Sequence, residues 1–252
     1  MSFIVVIPAR YASTRLPGKP LLDLAGKPML QHVYERALKS KATAVYIATD
    51  DERIATAAAA FTDNVCMTAS THQSGTDRIQ EVATQLGLAD EAILVNVQGD
   101  EPLIPPAAIN LVAEDLAMHP QAGISSLYES IQHRQEYLNA NAVKVVLDQQ
   151  GYALYFSRSP LPWQDNALPA NEIQAKRHIG IYAYRVSTLN SFTNWPVAAL
   201  EKLERLEQLR AMYHGIRIHL QAAPVSIPAG VDTQEDLDAV RRQLEAEQGK
   251  GQ

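Results

Sequence analysis

Three short apolar runs rich in β-branched residues, Phe3 to Ile7, Ala44 to Ala48 and Ala92 to Val97, are bounded by turn or polar residues and separated by amphipathic stretches. Apolar runs without polar alternation fit strands buried on both faces, as in a parallel sheet covered by helices. The intervening stretches carry the helical period. After Gly26-Lys27, Pro28 opens a helix with Leu30, Val33, Tyr34, Ala37 and Leu38 on one face. A second helix groups Ile79, Val82, Ala83 and Leu86 before Gly87 ends it. This alternation runs to about residue 128, so the expected fold class is α/β with a doubly wound, mostly parallel sheet.

The pattern then changes. Val143 to Leu147 and Tyr152 to Phe156 flank Asp148-Gln149-Gln150-Gly151, a hairpin signal that introduces antiparallel structure. A proline-containing loop, Pro160 to Pro169, leads to a strand-like run, Ile179 to Tyr184, and to one helix whose Leu203, Leu206, Leu209 or Arg210, and Tyr213 share a face. Residues 136–214 are therefore expected to form a smaller inserted lobe, with 1–135 and 215–252 making the main α/β domain. Ile216 to Leu220 and Val225 to Ile227 read as further strands. A last helix is expected near Thr233, with Glu235 and Asp236 favouring its N-terminal dipole.

Composition excludes several classes of function. No apolar run approaches the ~20 residues that span a bilayer, and the start lacks a basic segment, so a cytoplasmic protein without a membrane partner is expected. A net charge of -6 argues against a nucleic-acid partner, which demands a cationic face. The single cysteine, Cys66, excludes an internal disulfide or a multi-cysteine metal site; between Val65 and Met67 it reads as a small hydrophobe.

In an open α/β sheet, ligands bind beyond the carboxyl ends of the strands. The loop after the first strand, Pro8 to Pro20, carries Arg10, Arg15 and Lys19, which match a triphosphate: guanidinium forks bind oxygens bidentately and a lysine acts as a point charge. It is neither a Walker loop nor a dinucleotide fingerprint, since the glycine patterns of both are missing, and on spacing alone a solvated basic loop fits equally. Asn96-Val97-Gln98-Gly99-Asp100-Glu101-Pro102 follows the third buried run, and Asp100, ahead of Glu101, is the candidate Mg²⁺ ligand; an ordinary strand-ending turn is the alternative. In Gly230-Val231-Asp232-Thr233, Asp232 suits either a helix cap or a second metal ligand.

Ser74-Gly75-Thr76 offers hydroxyls and free N–H groups for base or ribose recognition, or a plain helix cap. In the middle lobe, Arg158 suits a carboxylate, and Arg177-His178-Ile179-Gly180-Ile181-Tyr182 suits a polyol. His72, His119, His133, His214 and His219 show no metal-ligand spacing, and no Ser/His/Asp nucleophile arrangement stands out.

The ordered set of these segments, together with Asn141-Ala142-Val143-Lys144-Val145-Val146, Tyr155-Phe156-Ser157-Arg158 and Leu206-Glu207-Gln208-Leu209-Arg210, resembles the 3-deoxy-manno-octulosonate (Kdo) cytidylyltransferases over essentially the whole chain. The resemblance implies a homodimeric, glycosyltransferase-A-like nucleotidyltransferase that couples CTP to Kdo with Mg²⁺ for lipopolysaccharide synthesis, its smaller lobe completing the sugar pocket and the dimer contact. It further implies that Pro8, Ala9, Arg10, Arg15, Lys19, Ser74, Gly75, Arg78 and Asp100 hold CTP, with Lys19, Arg10, Arg15 and Asp100 serving catalysis. Asp100 and Asp232 would ligate the metal, and Gln98, Arg158, His178, Tyr182, Glu207 and Gln208 would contact Kdo. The loop Gln164 to Gln174 departs from the family pattern.

Overall fold

The computed structural model describes residues 2–12, 16–165 and 173–249. Strand β1 (Phe3–Ala9) leads through a 3₁₀ turn (Lys19–Leu21) and a two-stranded ribbon, β2 (Asp23–Leu24) and β3 (Lys27–Pro28), to α1 (Met29–Leu38). Then follow β4 (Ala44–Thr49), α2 (Glu52–Ala59), β5 (Val65–Met67), α3 (Gly75–Gln85), β6 (Ile93–Asn96), α4 (Pro106–Met118) and β7 (Ile124–Ser130). The rest comprises α5 (Arg134–Leu138), β8 (Lys144–Leu147), β9 (Ala153–Ser157), β10 (Lys176–Arg185), α6 (Val186–Phe192), α7 (Ala199–Glu204), α8 (Gln208–Tyr213), β11 (Ile218–Ala222) and α9 (Gln234–Gly249). No helix among the described residues is long and apolar enough to cross a membrane.

The central sheet runs β11-β7-β10-β6-β1-β4-β5. β1 pairs in parallel with β4 and β6, β4 with β5, and β7 with β11; β10 alone opposes its neighbours β6 and β7. The expected mostly parallel α/β sheet is thus present. Val5, Val6 and Ile7 of β1 are fully buried between two apolar layers, one built with α1, α2 and α4 and the other with α3, α6 and α8. Burying each such side chain contributes about 1.5–3 kcal/mol. Leu38, expected on the inner face of α1, is 55% exposed at the last residue of the helix.

The expected hairpin forms: β8 and β9 pair antiparallel, and β8 continues onto the first residues of β10. β10 itself runs between β6 and β7, so residues 136–214 share one sheet with the rest of the chain. The single helix expected across Leu203 to Tyr213 is two, because Arg205 turns left-handed (φ 54°) between α7 and α8. Leu203 and Tyr213 are consequently exposed while Leu206 and Leu209 are buried. Val225 to Ile227 forms no strand; the Ile227 N–H donates to Glu129 Oε1 at 2.7 Å.

Asp115 on α4, His119 at its C-cap and His219 on β11 meet beneath the β8–β9 turn. Their composition suits a metal, yet the two imidazole rings stack, with centroids 3.6 Å apart and planes within 17° of parallel. One ion cannot lie in the plane of both rings, so this cluster is an ion pair. His219 Nδ1 lies 2.7 Å from Asp115 Oδ2 and Nε2 lies 2.9 Å from the Gln150 carbonyl. Both partners accept, so both ring nitrogens donate and the ring is an imidazolium. Burial opposes that charge, but the bond to Asp115, its charge, Gln150 and Asp148 together raise the pKa above 6.5. Arg217 stacks on Tyr152 instead of approaching the ring.

A raised folded-state pKa gives stabilisation that is complete below the unfolded value of about 6.5 and is lost as pH rises through the folded value. The melting-temperature gap between the protein and its His219→Gln variant is therefore expected to be widest near about pH 6 and to narrow as pH rises. A gap that stays constant up to about pH 9 would contradict the imidazolium assignment.

Candidate active site

Three loops meet beyond the carboxyl ends of β1 and β6, where a cavity of about 390 Å³ opens. Its wall takes Pro8 and Ala9 from the end of β1, Arg10 and Lys19 from the loop that follows, Gln98, Gly99 and Asp100 from the second loop, and Asp232 from the third. Close backbone contact fixes this arrangement: a Cβ on Gly99 would stand 2.9 Å from the Pro8 carbonyl, so only glycine lets the second loop lie against the first. The Val231 N–H donates to the Asp100 carbonyl at 2.8 Å, stitching the third loop to the second.

At the junction Lys19 Nζ donates to Asp100 Oδ2 at 2.6 Å, to Asp232 Oδ1 at 3.1 Å and to the Val231 carbonyl at 2.7 Å. The lysine is 14% exposed and the two aspartates 33% and 48%, so their charges face the cavity mouth. Two carboxylates on facing loops provide the hard oxygen donors that a small divalent cation takes. Arg10 is half-buried and donates to no described residue, leaving its fork for an anion. Arg15 lies outside the described residues. Burial and the neighbouring Asp100 charge push the Glu101 carboxyl up to about 8.

The N-terminus of α3 borders the same loops. A Cβ on Gly75 would touch the Pro8 ring at 3.6 Å, bringing this helix start alongside the first loop. Ser74 is the N-cap in a reciprocal capping box: its Oγ accepts from the Asp77 N–H and its own N–H donates to Asp77 Oδ2. Arg78 is fully buried, with Nη1 donating to the Thr68 hydroxyl and Nη2 lying 3.1 Å from Asp50 Oδ2. That pairing ties α3 to the ends of β4 and β5.

A family model described as cytidylyltransferase matches residues 4–218. A 3-deoxy-manno-octulosonate cytidylyltransferase of Cellvibrio japonicus is 56% identical over 98% of this chain and 100% of its own length, and one of Vibrio vulnificus is 54% identical over 98% and 99%. This chain belongs to the 3-deoxy-manno-octulosonate cytidylyltransferase family. Among solved structures, a CMP:2-keto-3-deoxy-manno-octonic acid synthetase complexed with CTP superposes with a TM-score of 0.90 at 43% identity, covering 98% of this chain and 99% of that one.

The residues that the family resemblance places on the sugar fall in several groups. Gln98 lines the first cavity. His178 lines a second cavity of about 470 Å³ that also reaches Glu101 and Gly230. Its Nε2 lies 2.9 Å from Ser126 Oγ, and burial pushes its pKa down to about 3, so the ring is neutral. Its ring packs 4.9 Å from Phe156 and 5.3 Å from Tyr182.

Tyr182, register partner of Asn96, lies beside Glu207, whose Oε2 accepts from Thr76 Oγ1 at 2.7 Å. Burial raises the Glu207 pKa. Asn96 Oδ1, Glu207 Oε1 and Gln208 Nε2 are buried without a hydrogen-bond partner among the described residues. Such orphaned polar atoms are costly unless a ligand or water meets them. The break at Arg205 delivers Glu207 and Gln208 to this place, a turn unmarked by glycine or proline and hence invisible in the sequence. Arg158 stands apart, following β9 and bound to Glu204 and Ala140.

Proposed function

We propose that this chain transfers CMP from CTP to the 2-hydroxyl of Kdo, with Mg²⁺, releasing CMP-Kdo and pyrophosphate. The observation that carries this reading is the Lys19 ammonium held between Asp100 and Asp232 at the mouth of a cavity whose wall includes Arg10. The sugar hydroxyl attacks the α-phosphorus and releases its proton to solvent, and the bond from that phosphorus to the pyrophosphate oxygen breaks in line. Asp100 and Asp232 would hold Mg²⁺, which supplies charge neutralisation at phosphate oxygens. Arg10 and Lys19 bind the phosphates and stabilise negative charge as it moves to the leaving pyrophosphate; Arg15, on the same loop, adds a third cation.

Ser74 and Gly75, beside Pro8, seat the nucleoside, and buried Arg78 holds that helix start in place. Gln98, His178, Tyr182, Glu207 and Gln208 take the sugar hydroxyls, the orphaned atoms on Glu207 and Gln208 being suited to a polyol, while Arg158 takes the carboxylate. In this reading, residues 136–214 carry sugar recognition and the contact to a second copy, and 1–135 with 215–252 carry the nucleotide. Leu200, Leu203 and Tyr213, 41%, 79% and 67% exposed on α7 and α8, supply apolar surface for that copy.

Pyrophosphate release is the direct assay, with CTP, UTP, ATP and GTP crossed against Kdo and sialic acid at fixed Mg²⁺. Only CTP with Kdo is expected to turn over rapidly. Preference for sialic acid would reassign the substrate, and CTP binding without pyrophosphate release would leave a nucleotide-binding regulator.

A further inference from the structure

Lys144 is a fully buried lysine that ion-pairs with no carboxylate among the described residues. Its Nζ donates to two main-chain carbonyls, Asn139 O and Arg158 O, each at 2.8 Å. Holding an ammonium inside a protein on carbonyls is costly; burial and the nearby Arg158 charge lower its pKa, against the opposing pull of the Glu204 and Glu136 charges. A leucine or methionine would fill the same space at lower cost. What the ammonium achieves is local: it ties the turn at residues 139–140 to the end of β9.

The first of those stretches holds the Arg158 guanidinium and the second leads into Arg158 itself. Nη1 donates to Ala140 O at 3.1 Å, beside Lys144's acceptor, and Nε donates to Glu204 O at 2.8 Å. Glu204, the last residue of α7, adds a second clamp: its carboxylate accepts from the Arg158 N–H at 2.9 Å, from Ser157 Oγ at 2.6 Å and from Tyr155 OH at 3.4 Å. Those donors hold the Glu204 carboxyl below its ordinary pKa against the opposing pull of burial. The guanidinium is thus fixed through Nε and Nη1, and Nη2 donates to no described residue.

We propose that Lys144 and Glu204 are positioning residues that pre-set Arg158, so that its open Nη2 edge meets the carboxylate of the sugar acid without first being ordered. This rests on Arg158 being the carboxylate partner, as read above. Bidentate recognition by arginine depends on a fixed planar fork, and pre-organisation lowers the cost of binding.

The test uses the intact protein and compares Kdo with its C1 carboxamide, which keeps the polyol and loses the charge. Lys144→Met and Glu204→Gln are each expected to raise KM for Kdo about tenfold, to leave KM for CTP within about twofold, and to shrink the acid-over-amide preference by the same factor. Lys144→Arg, which can still reach a carbonyl, is expected to recover part of that preference. Arg158→Gln should abolish it. If Arg158→Gln keeps the preference, the reading of Arg158 falls. If Arg158→Gln loses the preference while Lys144→Met and Glu204→Gln keep it, or if KM rises equally for acid and amide, the positioning role falls. Should Lys144→Met fail to fold, Glu204→Gln decides alone.

Discussion

Asp100→Asn and Asp232→Asn are each expected to lower kcat by roughly 10²–10³ with the fold intact, the size of effect seen when one preorganised group at a transition state is removed. Each substitution conserves volume at a partly exposed position, 33% and 48% accessible, so little packing is lost. In the proposed reaction the charge that is lost faces the phosphates. Measuring pyrophosphate release and the melting temperature on the same samples separates chemistry from folding. Near-normal release by both variants would end the metal-ligand assignment.

Lys19→Met is expected to cost at least about a hundredfold in kcat and, in addition, to change how the protein responds to Mg²⁺. The Lys19 ammonium bridges Asp100 and Asp232, so it compensates them and competes with any cation they bind. Without it the carboxylates repel across the loop junction, and the metal-free protein should melt lower, by about 2–4 °C for each kcal/mol lost. Added Mg²⁺ should then raise the melting temperature of the variant more than that of the parent, because a ligand that binds only the folded state stabilises in proportion to its affinity. An equal response in both proteins would show that the lysine and the metal do not share the aspartates.

The parts of the fold legible in the sequence are those set by local pattern. β1, β4 and β6 announce themselves through apolar runs rich in Val and Ile, and α3 ends where expected because Gly87 takes a positive φ of 59° that few other residues adopt. Long-range consequences were not legible. The run around Ile179 to Tyr184 is plainly extended, but nothing local says that it reverses direction between β6 and β7. Helical periodicity likewise continues through Arg205, whose left-handed turn is imposed by packing and by the Leu206 N–H donating to Glu201 O.

For the site, the residue types were readable and their distances were not. Asp100 and Asp232 each resemble an ordinary turn acid until both are found on one ammonium. Asp115, His119 and His219 carry no spacing signal because the sheet alone brings β11 against α4. Lys144 is a charged residue inside an apolar strand run, and the structure shows why it is tolerated there: two carbonyls wait for it.

The reversed strand β10 also dictates when the molecule can become whole. β6 and β7 run parallel, but each hydrogen-bonds to β10, which is synthesised after both. A nascent chain that has emerged only as far as β7 therefore presents two open edges facing a slot about 10 Å wide, two strand spacings across. Open edges recruit other chains, so this interval is the aggregation-prone stage of synthesis. β11 then adds to the far edge of β7. In the order of synthesis the sheet's centre is thus completed after β6 and β7 and before the edge strand β11.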